Sequence, residues 1–221
     1  MRGLPARARL LIVAVCFAAA SAASVAWIDQ PLARFIHAHG SGLAAYWQAG
    51  TAAFDAVTGI DLWKYFAAAV LVAAGLTASV QPRLRSQARA LWFVAATHLA
   101  CVLSTSLLKS GFGRLRPYVW FERGQPAQLF FSGGGGFPSG HVLFYLSLCL
   151  PAALVWPRLR VLLVVPLLLA CTRIGAEQHF LGDTLAAAAW VMLLTWAVRA
   201  RFERFAPQPP ASARASDRSG A

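Results

Sequence analysis

The sequence predicts an all-α membrane protein: a polytopic bundle of six transmembrane helices with short interfacial helices on its outer face. Three observations carry this reading. Of the 221 residues, 58% are hydrophobic and only 13% are charged, with a mean hydropathy of +0.58, well to the apolar side of a soluble domain. The apolar residues gather into six runs, and a helix needs roughly 20 such residues to cross about 30 Å of hydrocarbon. The basic residues, which give a net charge of +12, lie mainly between those runs and form no single face or tail. That distribution suits membrane orientation and argues against a nucleic-acid partner.

The predicted spans lie at about residues 10–26, 62–80, 91–108, 140–156, 161–177 and 182–198. The first follows Arg2, Arg7 and Arg9; its basic start, apolar middle and small residues at 20–24 also fit a cleaved signal peptide. Either reading leaves the later topology unchanged. The fifth is strictly apolar only over 161–172 and reaches span length only if the polar stretch after Cys171 continues it. The segment 29–61 is too polar to cross. Phe35, Ile36, Leu43, Tyr46, Trp47 and Phe54 recur at roughly helical spacing among His, Gln and Gly. This predicts one or two short helices on the outer interface, where Trp and Tyr are favoured. Residues 110–138 form the second outer loop, with Gly133 to Gly136 as a flexible tether. Residues 1–205 thus make up the membrane domain, and 206–221, rich in Pro, Ala, Ser and Arg, a disordered cytoplasmic tail.

Arginine placement sets the orientation. Arg2, Arg7, Arg9, Arg83, Arg85, Arg89, Arg158, Arg160, Arg199, Arg201, Arg204, Arg214 and Arg218 fall on one side if every span crosses, thirteen of the 20 basic residues. The positive-inside rule makes that side cytoplasmic, with both termini, and predicts a bacterial inner-membrane protein. The four cysteines, Cys16, Cys101, Cys149 and Cys171, form no CxxC pair and no zinc-like spacing with His, so they read as small buried hydrophobes and no metal site is predicted.

The chemistry sits on the opposite side. Lys109 closes the third span and Arg116-Pro117 follows; Pro138-Ser139-Gly140-His141 opens the fourth; Arg173 ends the fifth, with His179 and Asp183 leading into the sixth. Ionisable residues near membrane depth are costly and tend to mark function. Lys109, Arg116 and Arg173 can neutralise a phosphoryl group, the arginines by paired hydrogen bonds. Ser139 and Gly140 start a helix, where unpaired backbone N–H groups bind anions. His179 and Asp183, i and i+4 on one helical face, can pair so that the other ring nitrogen is a free nucleophile, and His141 can donate a proton to the leaving group. Each part has a plainer reading: snorkelling anchors, an ordinary helix cap, an Arg173–Asp183 ion pair. Those readings would have to coincide in order, spacing and sidedness. His37, His39 and His98 lack a partner pattern; Arg114, Glu122 and Arg123 read as a solvated loop, and Glu177 could tune the site.

Lys109-x6-Arg116-Pro117, Pro138-Ser139-Gly140-His141 and Arg173-x5-His179-x3-Asp183 together resemble the three-part signature of the type 2 phosphatidic acid phosphatase superfamily. That group also includes vanadium haloperoxidases and bacterial acid phosphatases. One position departs: Thr172 stands where the family usually has Ser, and the hydroxyl is kept. The resemblance implies that His179 is the phosphorylated nucleophile, Asp183 its partner and His141 the general acid. It further implies that Lys109, Arg116, Ser139, Gly140 and Arg173 hold the phosphate, without a cofactor. The expected substrate is a membrane lipid phosphate: a phospholipid (phosphatidic acid or phosphatidylglycerol phosphate), an isoprenoid pyrophosphate or lipid A. A phosphotransferase would use the same residues, a haloperoxidase would bind vanadate in the same pocket, and a non-enzymatic membrane protein would need none of them.

Overall fold

In the computed structural model, which describes residues 5–40, 43–60 and 62–204, every regular element is helical. The chain runs through α1 (Ala6–Ala23), a π turn (Ser24–Ile28), α2 (Asp29–His39), α3 (Ala44–Thr58) and α4 (Phe66–Val80). A short 3-10 turn leads into α5 (Arg85–Phe112), followed by α6 (Pro117–Glu122), α7 (Gly140–Val155), a 3-10 stretch (Pro157–Leu163), α8 (Val164–Gly175) and α9 (Leu181–Arg204). Helix α7 packs against α5, α8 and α9; α1 lies along α9, α4 along α5, and α3 against α8. The core beneath the site joins Cys101 of α5, Leu143, Leu146 and Leu150 of α7, and Ala187 and Val191 of α9.

Burial is inverted relative to a water-soluble fold. Val15, Trp27, Val70, Val80, Leu103, Leu107 and Leu167 face outward, while Ser24, Asp29, Thr97, His98, Arg114, His179 and Asp183 are buried. Apolar side chains turned out and polar groups turned in is the arrangement a lipid solvent selects. Three helical stretches are long and apolar enough to cross a membrane: Arg7–His39, Pro82–Glu122 and Leu181–Phe202. Phe66–Val80 and Gly140–Val155 are apolar but shorter, and α8 has 12 residues behind its 3-10 lead-in. Cys101 and Cys149 are buried as expected, whereas Cys16 and Cys171 are exposed.

Two expectations are corrected. The segment after the first span does not begin with a separate interfacial helix, because α1 continues through the π turn into α2. The resulting 33-residue helix is roughly 50 Å long, well beyond the hydrocarbon core. Pro31 supplies a reason for the wide turn: it lacks an N–H, and its ring would press on the carbonyl four residues back. The turn is closed instead by Asp29 N–H on the Ser24 carbonyl. Residues 133–136 are not a loose tether either. Gly134 N–H bonds the Gly113 carbonyl at 2.9 Å and Gly136 N–H the Arg114 carbonyl at 2.8 Å. A Cβ on Gly136 would come within 2.9 Å of the Leu115 carbonyl oxygen, so glycine is what lets the two backbones meet. The expected tail, 206–221, lies outside the described residues.

Candidate active site

Three helix ends converge on one side of the bundle. Lys109 stands in the last turn of α5, which Gly113 stops in a left-handed conformation (φ +52°). The chain then leaves in extended form through Arg114 and Leu115 to Arg116, which precedes Pro117 at the first position of α6. Ser139 caps α7, so the N–H groups of Gly140, His141 and Val142 have no carbonyl within the helix to bond. Across from it, Asp183 sits in the first turn of α9 and His179 in the turn before that helix.

Lys109, Arg116, Gly140, His141 and His179 line one cavity of about 250 Å³, with Lys64, Thr105 and Ser106 polar beside them and Ile60, Val102, Leu143 and Phe144 apolar. The Lys109 ammonium reaches to 3.4 Å of where a Cβ on Gly140 would be, so a larger residue there would crowd the cation. Arg173 stands outside this lining and joins through Gln178: the Gln178 Oε1 accepts from Arg116 Nη1 at 2.9 Å and Arg173 Nη2 at 3.4 Å. Ser139 is fully buried behind the cavity wall; its N–H bonds the Asp183 carbonyl at 3.0 Å, and its Oγ has no partner among the described residues. All of the phosphate-binding candidates therefore cluster, but Ser139 and Arg173 do so from behind the first layer. Thr172 uses its hydroxyl structurally, donating to the Leu169 carbonyl at 3.0 Å and accepting from Thr51 at 3.1 Å, which ties α8 to α3.

His179 is held differently from the expectation. Its Nδ1 lies 2.8 Å from the Gly136 carbonyl oxygen and 3.5 Å from Asp183 Oδ2. A carbonyl can only accept, so Nδ1 carries the hydrogen and Nε2 the free lone pair. The expected i, i+4 pair is present, but not on one helical face: His179 precedes α9, and Asp183 Oδ2 also accepts the Phe180 N–H at 2.8 Å. The carboxylate thus shapes the turn that carries His179. Burial pushes the imidazole pKa down to about 4, with Asp183 opposing and Lys109 and Arg116 adding to the fall. At neutral pH the ring is uncharged, as a nucleophile requires.

The sign of the pH effect follows. An unfolded histidine titrates near 6.5, so the folded state binds fewer protons between that pH and about 4. The stability His179 contributes is complete above pH ~6.5 and is lost as pH falls through 4. Thermal melts of detergent-solubilised protein from pH 7 to 4 should show a steeper loss for the wild type than for His179→Asn. Equal slopes would sink the assignment of a neutral buried ring.

Four residues missed at the sequence level complete the site. Arg114, expected in a solvated loop, is fully buried and donates to Asp29 Oδ2 at 2.7 Å and to Asp183 Oδ1. Its guanidinium lies between the rings of Phe130 and Phe180, 4.7 and 4.5 Å from their centroids. Asp29 also accepts from Ser24 Oγ at 2.6 Å and Gly182 N–H at 2.8 Å, so the π turn is bonded to the start of α9. Asp55 of α3 contacts His141, and Gln178 bridges the two arginines. The signal available for Asp29 and Asp55 was a carboxylate with apolar neighbours, Trp27-Ile28 before Asp29 and Phe54 and Ala56-Val57 around Asp55, a costly placement if buried unless it is paired. His37, read as lacking a partner, pairs with Glu177 at 3.1 Å on the surface, and His98 bonds Ser147 at 2.8 Å in the core.

The chain is 35% identical over 130 residues to a protein named lipid A 1-phosphatase from Rhizobium johnstonii, covering 53% of this chain and 53% of that one. It is likewise 35% identical over 130 residues to a lipid A 1-phosphatase from Rhizobium etli, covering 53% of this chain and 56% of that protein. The chain therefore spans about half the length of the curated relatives it matches. No solved structure matches it at a significant level. The family model described as the PAP2 superfamily matches residues 89–206, a stretch that includes Lys109, Arg116, Ser139, Gly140, His141, Arg173, His179 and Asp183, and the chain belongs to that superfamily.

Proposed function

We propose that this chain is a six-span integral membrane lipid phosphatase that cleaves a phosphomonoester or pyrophosphate at the outer leaflet through a phosphohistidine on His179. The observation that carries the reading is the convergence of Lys109, Arg116, Gly140, His141 and His179 on one cavity, with the lone pair of His179 Nε2 left free by the bond from Nδ1. Six crossings keep the three helix ends in one leaflet, with α4, α7 and the 3-10/α8 unit as the shorter passages. The apolar part of the lining, Ile60, Val102, Leu143 and Phe144, suits a lipid whose headgroup lies among the cations.

In the first step His179 Nε2 attacks phosphorus in line, and the electrons of the P–O bond leave with the lipid oxygen. His141 protonates that oxygen. Lys109, Arg116, Arg173 and the amides opening α7 hold the equatorial oxygens, where charge is concentrated. In the second step His141 takes a proton from water, the water oxygen attacks phosphorus, and the P–N bond electrons return to Nε2. All groups used belong to the protein, so chelator is expected to leave the rate unchanged.

Both relatives carry the name lipid A 1-phosphatase, which supports lipid A as the first substrate to test. Phosphate release by purified protein in detergent, measured on lipid A, phosphatidic acid, phosphatidylglycerol phosphate and undecaprenyl pyrophosphate, tests this. Release from lipid A at the highest kcat/KM is the expected result. Release from none of the four by folded protein would overturn the hydrolase reading.

A further inference from the structure

The proton-transfer residue of the proposed reaction has a partner that its own motif does not contain. His141 Nε2 lies 3.0 Å from Asp55 Oδ2, although 86 residues separate them in the chain. The other carboxylate oxygen of Asp55 accepts from the Tyr145 hydroxyl at 2.9 Å, one helical turn beyond His141. The Tyr145 oxygen is in turn 2.9 Å from Thr58 Oγ1, which also donates to the Phe54 carbonyl at 3.1 Å. Helix α3 thus grips α7 through one carboxylate and two hydroxyls. The Asp55 side chain is 8% exposed and that of His141 25%, so the contact is shielded on the Asp55 side and open on the cavity side.

The charges around the pair are consistent with an ionised carboxylate. Burial alone would raise the Asp55 pKa, but His141, Tyr145 and Arg173 of α8 outweigh it and hold the group below the ordinary carboxylate value. The charged residues that line the cavity with His141 are cations, Lys64, Lys109 and Arg116, and no carboxylate is among its lining residues. Asp55 is therefore the carboxylate committed to that ring.

We propose that Asp55 is the positioning residue of His141: it holds Nε2, fixes the hydrogen of the neutral ring there, and leaves Nδ1 as the atom that exchanges protons with substrate and water. This rests on the phosphatase reading given above. When the P–O bond breaks, the imidazolium gives its Nδ1 proton to the leaving oxygen and keeps Nε2–H on Asp55. When water attacks the phosphohistidine, Nδ1 takes the proton back. Each proton has one origin and one destination, and Asp55 itself stays ionised throughout. An Asn at this position can instead donate to Nε2, which would place the ring hydrogen on Nδ1 and remove the base for the second step.

The test is a double-mutant cycle on phosphate release, because a residue acting only through His141 has nothing left to act on once that ring is gone. Asp55→Asn is expected to lower kcat by about 10²-fold, with KM changed by less than about threefold, since Asp55 does not touch the phosphate. In the His141→Ala background the same substitution should change kcat by less than about threefold. Tyr145→Phe keeps the carboxylate on His141 but removes its second bond. It is expected to cost kcat less than about tenfold, and again almost nothing without His141. Tyr145→Phe decides the matter if Asp55→Asn does not fold. Undiminished kcat in the single variants, or the same loss with and without His141, would overturn the assignment and leave the phosphatase reading standing. Absence of phosphate release by the wild type would overturn both.

Discussion

Replacing His179 by alanine is expected to abolish phosphate release, with kcat falling by on the order of 10⁴-fold or more, the scale seen when a covalent nucleophile is removed. The reason lies in the geometry. His179 lines the cavity with its Nε2 lone pair left free by the bond from Nδ1 to the Gly136 carbonyl. His141, by contrast, is the proton-transfer ring held by Asp55 in the proposed reaction. Water could enter the space left by the ring, but it would lack both the fixed orientation and the basicity of an imidazole. The cations would still bind the phosphate, so KM should move far less than kcat. Acid-labile, alkali-stable phosphoenzyme trapped from the wild type should vanish in the variant. Thermal melts of the variant beside the wild type at pH 7 separate a loss of chemistry from a loss of fold. A loss of activity can then be assigned to chemistry. Retained turnover in a folded His179→Ala protein would rule out the phosphohistidine mechanism.

How much of this was legible in the sequence depended on how far apart the interacting residues lie. The helices declare themselves by apolar runs, and α4, α5, α7 and α9 cover the predicted spans with ends shifted by a few residues. The sets Lys109/Arg116, Ser139/Gly140/His141 and Arg173/His179/Asp183 each fall within a short stretch, so spacing and sidedness are visible in one chain. The residues that hold them are not. Asp29 reaches Arg114 across 85 residues and Asp55 reaches His141 across 86. No periodicity links such distant positions, and only their cost among apolar neighbours hints at a partner. The backbone was equally hidden. Four consecutive glycines suggest slack, whereas residues 134 and 136 are used for close backbone approach, and the Gly136 carbonyl becomes the acceptor for His179. Polar Asp29 and Gln30 with Pro31 suggest the end of a helix, yet a π turn carries it through.

Arg114 carries the second large effect, and it is one of stability. Its guanidinium and the carboxylates of Asp29 and Asp183 are all fully buried. Arg114→Met would leave two buried carboxylates facing each other without a cation, and removing one member of such a cluster typically costs about 3–5 kcal/mol. For a chain of this size each kcal/mol shifts the melting temperature by roughly 2–4 °C, so a fall on the order of 10 °C is expected in detergent. Arg114→Lys should recover little of it. An ammonium gathers its donors on one atom and cannot reproduce the spacing by which Nη1 reaches Asp183 and Nη2 reaches Asp29, nor pack as a flat group against Phe130 and Phe180. Pairing Arg114→Met with Asp29→Leu removes one carboxylate together with the cation and should restore part of the stability, because the remaining Asp183 still accepts the Phe180 N–H. Activity should not return with it. Asp29 and Arg114 join the π turn and the α5–α6 connection to the turn carrying His179, and freeing that turn misplaces the nucleophile even in a folded protein. A melting temperature unchanged by Arg114→Met would mean that the two carboxylates reach water or take up a proton without cost, and the buried triad would then not be what fixes the turn.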